Sequence, residues 1–163
     1  MDDNNGGPLE AFRVEIAMIV HENVTPYVRF GSSSEVYEYF KHMRNFDREY
    51  LLAVCIDPKL RVSAHHTVSI GTLTASIVHP REVFKAAILA NASGLIMLHN
   101  HPSGDPNPSA EDKRITRRIE EAGRLMGIPL IDHVIIGIET FYSFADAGAI
   151  EASYSEQRGM VLR

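Results

Sequence analysis

The sequence predicts an α/β domain in which helices pack against a mixed β-sheet. Segments with the apolar pattern of strands alternate loosely with segments of helical spacing along the 163 residues, as is typical of layered α/β proteins. The length suits one globular domain with a substantial hydrophobic core. An apolar fraction of 45% and a charged fraction of 23% are those of an ordinary globular protein rather than a disordered or fibrous one.

The N-terminal part is predicted to contain a polar lead-in, one strand and one helix. Residues 1–10 combine Asn, Gly and Asp with little apolar content, so we expect them to be disordered. Residues 12–20 place alternate apolar side chains on one face, as in a strand. The serines at 32–34 are candidate N-caps for a helix over 35–44.

A hairpin, a helix and a short strand are predicted next. The apolar runs 49–57 and 60–71 are joined by turn residues and predict two paired strands. Pro80 suits the first position of a helix over 81–91. The run "GLIMLHNH", 94–101, then predicts a strand.

The last predicted elements are a long helix and two strands. Ser109 can cap a helix over 110–127. Its inward stripe is predicted to consist of Ile115, Ile119, Ala122 and Met126. Strands are expected at 129–137 and 141–146, which places the domain at 11–150. The remaining 151–163 form a weakly patterned tail, interpreted as a frayed end or as a contact in a homo-oligomer.

Composition excludes several classes of protein. A formal charge of -5 argues against a broadly basic surface that would neutralise phosphates. Cys55 is the only cysteine, so no intrachain disulfide can form. The acidic N-terminus does not resemble a secretory signal, and no apolar run reaches the roughly 20 residues of a membrane span. We therefore expect a cytoplasmic protein with no membrane partner.

The stretch "LHNHPSGDPNPSAED", 98–112, carries the clearest chemical signal. Alternate residues of a strand share a face, so His99 and His101 should project to one point. The proline-rich loop that follows can bring the start of the next helix, with Asp112, to the same place. Two imidazoles and one carboxylate suit Zn²⁺ and leave a fourth position open for water, the pattern of a catalytic site.

A hydrolytic zinc site also needs a group that moves protons. A carboxylate outside the metal coordination commonly takes this role. Spacing alone leaves four candidates open, namely Glu49, Glu82, Glu111 and Asp105.

The pattern His99-x-His101, seven residues, Ser109-x-x-Asp112 resembles the signature of the JAMM (MPN+) metalloproteases. The longer run at 71–137 resembles their bacterial RadC-like branch, and the resemblance extends from about Arg13 to about Ala145. It implies a cytidine-deaminase-like α/β/α sandwich with a mixed central sheet, the JAB/MPN domain. It also implies a zinc-dependent hydrolase in which metal-activated water attacks a peptide or isopeptide bond.

The resemblance also implies a role for each site residue. His99, His101 and Asp112 become the zinc ligands, and Ser109 becomes a hydrogen-bond donor to the developing oxyanion. Glu49, in "FDREYLLAVCID", is the counterpart of the family's catalytic glutamate, acting first as general base and then as general acid. Full-length RadC-like proteins usually carry a helix-hairpin-helix segment before this domain; no such segment precedes residue 11, so DNA binding through it is not expected.

Several of these residues have a simpler structural interpretation. Ser109 and Asp112 have the spacing of a capping pair, which is compatible with a second role in the site. Glu49 could be an ordinary carboxylate at a strand end, and Asp105 suits a turn former rather than a ligand. Four other histidines are interpreted as structural or outside the motif: His65, His66, His79 and His133. The arginines of the long helix alternate with glutamates, which indicates a solvated, ion-paired face.

Three functional hypotheses follow. The first is a zinc metallopeptidase with a protein or peptide substrate. The second is a DNA-repair-associated RadC-like protein acting on or near DNA, against which the acidic balance weighs. The third is a metal-binding interaction domain without turnover, which the presence of all four site residues disfavours.

Overall fold

The structure, a computed structural model, describes residues 28–71 and 78–151. The predicted lead-in at 1–10, the predicted strand at 12–20 and the tail beyond residue 151 lie outside these ranges. The predicted domain boundaries therefore stay predictions. Within the two described stretches, none of the helices combines the length and the hydropathy needed to cross a bilayer.

The described residues form helices and strands in the predicted order. These are α1 (Ser33–Phe40), a 3₁₀-helix (Lys41–Asn45), β1 (Tyr50–Ile56), β2 (Val62–Ile70), α2 (Pro80–Leu89), β3 (Gly94–Asn100), α3 (Ala110–Met126), β4 (Leu130–Ile136) and β5 (Phe141–Ser143). The helix predicted at 35–44 is divided between α1 and the 3₁₀-helix. The strand predicted at 141–146 is shorter, because the chain turns after Ser143.

The five strands form one mixed sheet in the order β2-β1-β3-β4-β5. The predicted hairpin is confirmed: β1 pairs with β2 in antiparallel orientation, with Ala53 opposite His66. β3 runs antiparallel to β1 and parallel to β4. A parallel neighbour requires a crossover connection, and α3 supplies it between β3 and β4.

Helices cover both faces of the sheet. Alternate residues of β1 enter different cores: Leu51 packs with α2 and α3 side chains such as Phe84 and Ile119, whereas Leu52 packs with α1 side chains such as Phe40. All residues of β3 and β4 are buried, as expected for strands covered on both sides. The predicted α/β/α sandwich with a mixed sheet is therefore confirmed.

The inward face of α3 differs from the predicted stripe at its C-terminal end. Ile115 and Ile119 are buried as expected, but Met126 is 46% exposed. The buried residue of the last turns is Gly123, where an added Cβ would lie 2.6 Å from the carbonyl oxygen of Ile128. Because the helix approaches the following backbone through this glycine, Met126 turns outward, and its predicted burial is wrong.

Candidate metal centre

The two histidines converge at the carboxyl end of β3. His99 is the penultimate residue of β3 and is fully buried. His101 follows the strand and is partly exposed. Their Nε2 atoms lie 2.9 Å apart. Asn100 between them is also fully buried, on the opposite face. The predicted convergence of the two imidazoles is therefore present in the structure.

The first turn of α3 brings Asp112 to the same point. Its Oδ1 lies 3.3 Å from His99 Nε2, and its Oδ2 lies 3.5 Å from His101 Nε2. The loop between the strand and the helix turns at Gly104, where φ is +84° and an added Cβ would lie 2.5 Å from Ile138 Cδ1. The positive φ favours glycine here, whereas the exposed Ile138 side chain could move aside, so a substitution at Gly104 would mainly strain the backbone of the loop that returns Asp112.

Hydrogen bonding determines which nitrogen of His101 is free. Its Nδ1 lies 2.6 Å from the carbonyl oxygen of Asp105, which can only accept. Nδ1 therefore carries the proton, and in the neutral ring the lone pair is on Nε2, the atom that faces His99 and Asp112. This orientation matches that of a metal-ligating histidine whose other nitrogen is held by a backbone carbonyl.

The three donor groups fit a tetrahedral divalent ion. Their atoms all lie within 4.8 Å of one another, and the closest pairs are separated by 2.9, 3.3 and 3.5 Å. Zinc bonds of about 2.0–2.2 Å place neighbouring ligand atoms about 3.3–3.6 Å apart. The two distances to Asp112, one to each carboxylate oxygen, are close to this range, whereas the two histidine nitrogens are closer together and would separate by a few tenths of an ångström around an ion. Two nitrogen lone pairs and a carboxylate that face one another so closely form a cluster that a cation stabilises.

Burial and the neighbouring charged groups have opposite effects on the pKa values of the three cluster residues. Burial raises the pKa of Asp112, but the hydrogen bonds that its carboxylate can accept from protonated His101 and His99, together with the hydrogen bond from Ser109, outweigh burial and hold the pKa far below its ordinary value. Burial lowers the pKa of His99, although the negatively charged Asp112 acts to raise it. The pKa of His101 is raised, chiefly because its protonated form can donate a hydrogen bond to Asp112. Asp112 is thus held as a carboxylate, the form that binds metal.

Glu49 lies beside the cluster without being part of it. In the β1–β3 register Leu51 is opposite His99, so continuing the antiparallel register by two residues places Glu49 opposite His101. Its negative charge is a minor influence that favours the protonated forms of both His99 and His101, although burial still lowers the pKa of His99 overall. The position suits the predicted proton-transfer role, which stays a prediction.

Ser109 has a defined structural role. Its Oγ accepts a hydrogen bond from the Asp112 backbone N–H at 3.1 Å and donates to Asp112 Oδ2 at 2.6 Å. Together with the Ser109 N–H bond to the same carboxylate, this forms a capping box at the start of α3. The capping interpretation is therefore confirmed, whereas the oxyanion role is a prediction.

The remaining candidates behave mainly as structural residues. His79 caps α2 by accepting from the Arg81 N–H. The side chain of Asp105 accepts from the N–H of Asn107, as expected of a turn former. Among the described residues, the metal-compatible cluster does not include Glu82, Glu111, His65 or His66. Burial raises the pKa of Cys55 to about 11, in agreement with an unreactive thiol.

Sequence reasoning missed two groups that contact the site. His133, interpreted as structural, places its Nε2 2.8 Å from His99 Nδ1. The side chain of Asn100 makes hydrogen bonds to the backbone of Arg48 and Tyr50, the residues on either side of Glu49. Both are polar side chains in strands that are otherwise nearly all apolar, and that contrast is the signal that would have identified them.

The fold and this cluster define an α/β/α domain with a candidate metal site. The family model of the RadC-like JAB domain matches residues 30–149. The chain belongs to the RadC-like JAB domain family, which confirms the resemblance found in the sequence.

Curated relatives support the same assignment. The chain is 46% identical over 122 residues to a UPF0758 protein of Thermotoga maritima, covering 75% of this chain and 55% of the relative. It is 50% identical over 121 residues to a UPF0758 protein of Geotalea uraniireducens, covering 74% and 53%. A UPF0758 protein of Methanosarcina barkeri is 45% identical over 126 residues, covering 77% and 55%. The chain thus spans about half the length of the curated relatives it matches.

Proposed function

We propose that this protein is a metal-dependent hydrolase that cleaves peptide or isopeptide bonds and uses Zn²⁺. The observation that carries the proposal is the convergence of His99 Nε2, His101 Nε2 and the Asp112 carboxylate within 4.8 Å, in a JAB-family domain. When bound there, a divalent ion would polarise the substrate carbonyl and lower the pKa of a water molecule. Three protein ligands leave room for that water.

Glu49 is the residue we propose for proton transfer. Glu49 is half-buried, and its negative charge acts on both histidines. It would take the proton of the attacking water and pass it to the leaving amine. A carboxylate that is outside the metal coordination but within its reach is suited to both steps.

Ser109 is the residue we propose as donor to the developing oxyanion. Its hydroxyl proton points to Asp112 Oδ2 at 2.6 Å in this structure. To serve the oxyanion it must rotate away from Asp112, while the backbone N–H of Ser109 keeps its bond to the same oxygen at 2.7 Å. The capping box therefore survives in part during that step.

A protein or peptide substrate fits the chemistry better than DNA. The acidic charge of -5 does not favour a polyanion. Two arginines of α3 are engaged in ion pairs, Arg114 with Glu111 and Arg124 with Glu151, each at 2.8 Å. A buried single cysteine needs no oxidising compartment, so we place the activity in the cytoplasm.

Metal analysis tests the ligand set. We expect stoichiometric zinc in the purified wild type and its loss in His99→Ala and Asp112→Ala. Glu121→Gln, which removes an exposed carboxylate further along α3, should keep the metal. Full metal content in both ligand variants would overturn the assignment.

A peptide-library cleavage screen tests the reaction. We expect Glu49→Gln to keep its zinc and to lose at least about 100-fold in cleavage rate, as is usual for removal of a general base. Equal cleavage by wild type and Glu49→Gln would remove Glu49 from the mechanism. No cleavage, with tight and salt-sensitive binding to DNA, would instead favour the DNA-associated alternative.

A further inference from the structure

A continuous chain of hydrogen bonds runs from the backbone of one candidate ligand to the imidazole of another. Thr116 Oγ1 lies 2.6 Å from the carbonyl oxygen of Asp112 and 2.7 Å from His133 Nδ1. His133 Nε2 lies 2.8 Å from His99 Nδ1. The chain therefore links the first turn of α3 to the end of β3 through a side chain of β4.

The chemistry of the groups determines the direction of every bond. The Asp112 carbonyl can only accept, so Thr116 must use its single proton there. Thr116 Oγ1 must then accept from His133, which puts the His133 proton on Nδ1 and leaves Nε2 as an acceptor. His99 must donate to that acceptor from Nδ1, and its own lone pair is then on Nε2.

Burial removes the alternatives to this direction. Thr116 and His133 are each 1% exposed, and His99 is fully buried, so solvent cannot satisfy a reversed bond. Reversing any one bond would place two lone pairs or two protons against each other. The one buried nitrogen that this direction leaves with a free lone pair is His99 Nε2, which faces His101 Nε2 at 2.9 Å in the proposed metal site.

Packing also fixes the orientation of the His133 ring. The ring stacks on Phe144 with centroids 5.0 Å apart and planes 9° from parallel. The backbone N–H of His133 donates to Asp132 Oδ1 at 2.7 Å, and its carbonyl accepts from the Phe144 N–H at 3.1 Å. Nε2 is therefore held towards His99.

We propose that His133 and Thr116 are positioning residues of the metal centre, which hold His99 in the tautomer whose Nε2 lone pair faces His101 and Asp112. This inference rests on the proposed metal site and deepens it. Neither residue contacts the metal; both act through His99. The chain begins on the backbone of Asp112 and ends on the imidazole of His99, so it also fixes the distance between two ligands on different elements.

Two matched pairs of variants test the proposal. His133→Phe keeps an aromatic ring against Phe144 but removes the acceptor, whereas His133→Gln restores an acceptor near the position of Nε2. Thr116→Val removes the hydroxyl with little change in shape, whereas Thr116→Ser retains it. The pair at 116 keeps the test decisive if a substitution at His133 prevents folding.

The readouts are the His99 tautomer, measured by nitrogen and carbon NMR shifts in chelator-treated protein, and the dissociation constant for Co²⁺ or Zn²⁺. We expect the Nδ1–H tautomer in the wild type. His133→Phe and Thr116→Val should weaken metal binding about 10- to 100-fold, as loss of an outer hydrogen bond to a ligating histidine does. Binding by Thr116→Ser should stay close to that of the wild type.

Two results would overturn the inference: an Nε2–H tautomer of His99 in the wild type, or wild-type metal affinity in folded Thr116→Val and His133→Phe. Neither readout depends on turnover. A protein that shows the expected tautomer and affinity losses but cleaves no peptide would therefore uphold this inference while refuting the proposed function.

Discussion

The side-chain amide of Asn100 holds the main chain on both sides of Glu49. Asn100 Nδ2 donates to the carbonyl oxygen of Arg48 at 2.9 Å, and Oδ1 accepts from the N–H of Tyr50 at 2.9 Å. The Asn100 side chain is fully buried. The residue between the two histidines thus holds the chain around Glu49, just before β1 begins at Tyr50.

Replacing Asn100 should affect both stability and activity. Asn100→Ala removes the partner of the Tyr50 N–H and of the Arg48 carbonyl, both in part-buried bonds, and should cost about 1–3 kcal/mol of unfolding free energy. We also expect Glu49 to shift and the proposed cleavage rate to fall about 100-fold, as small displacements of a catalytic group do. Chemical denaturation and a cleavage assay measure the two effects. Asn45→Ala, at an exposed position, is the control; a wild-type rate in Asn100→Ala would contradict the positioning role.

Metal binding should stabilise the folded protein. A ligand that binds only the native state at about 100 times its dissociation constant raises the free energy of unfolding by about 2.7 kcal/mol. We expect such a zinc-dependent increase in the wild type and in Glu111→Gln, and its absence in Asp112→Asn. Denaturation curves with zinc and with chelator provide the measurement. An equal increase in Asp112→Asn would show that zinc binds elsewhere.

Ser109→Ala separates the capping role from the catalytic one. Loss of the N-cap should cost about 1 kcal/mol of unfolding free energy. If Ser109 also stabilises the oxyanion, the cleavage rate should fall by about 100-fold or more. Ser32→Ala removes the serine cap of α1 and should cost similar stability with no change in rate. A normal rate in Ser109→Ala would leave Ser109 as a cap alone.

Asp132 should make stability depend on pH in an unusual direction. Burial raises its pKa to about 6, although Ser143 Oγ and the N–H groups of Ala145 and His133 hydrogen-bond to it. Because the folded pKa lies above the ordinary aspartate value of 3.8, the folded state binds the proton more tightly. The stabilising contribution of protonated Asp132 to the free energy of unfolding is therefore fully present below about pH 4 and is lost as pH rises through about 6.

The measurement is the difference in unfolding free energy between wild type and Asp132→Asn from pH 4 to 7. We expect the wild type to lose about 2–3 kcal/mol relative to the variant over that range. Asp57 provides a comparison of opposite sign: burial raises its pKa, but bonds to Arg61 and Lys59 outweigh this and lower it. Measured from about pH 2 to 5, the unfolding free energy of the wild type should increase relative to that of Asp57→Asn as pH rises towards about 4, and it should be flat above that. A flat difference for Asp132→Asn would contradict the raised pKa.

The chemistry of the candidate cluster could be read from the sequence because it depends on short-range geometry. His99 and His101 share a face by strand alternation alone, and Asp112 follows within one loop and one helical turn. The hairpin, the helix caps at Ser32 and Ser109 and the layered order are likewise local patterns. The family signature added Glu49, which no local rule distinguished from other carboxylates.

The contacts that support the cluster were decided only by the tertiary structure. His133 meets His99 because β4 lies parallel to β3 with a register shift between Leu95 and Ile96, and Asn100 reaches the backbone beside Glu49 because β1 lies on the other side of β3. Both depend on pairing between segments 34 and about 50 residues apart. Strand order and register arise from packing of the whole core, so a sequence pattern predicts which residues are polar and buried but not which groups they meet.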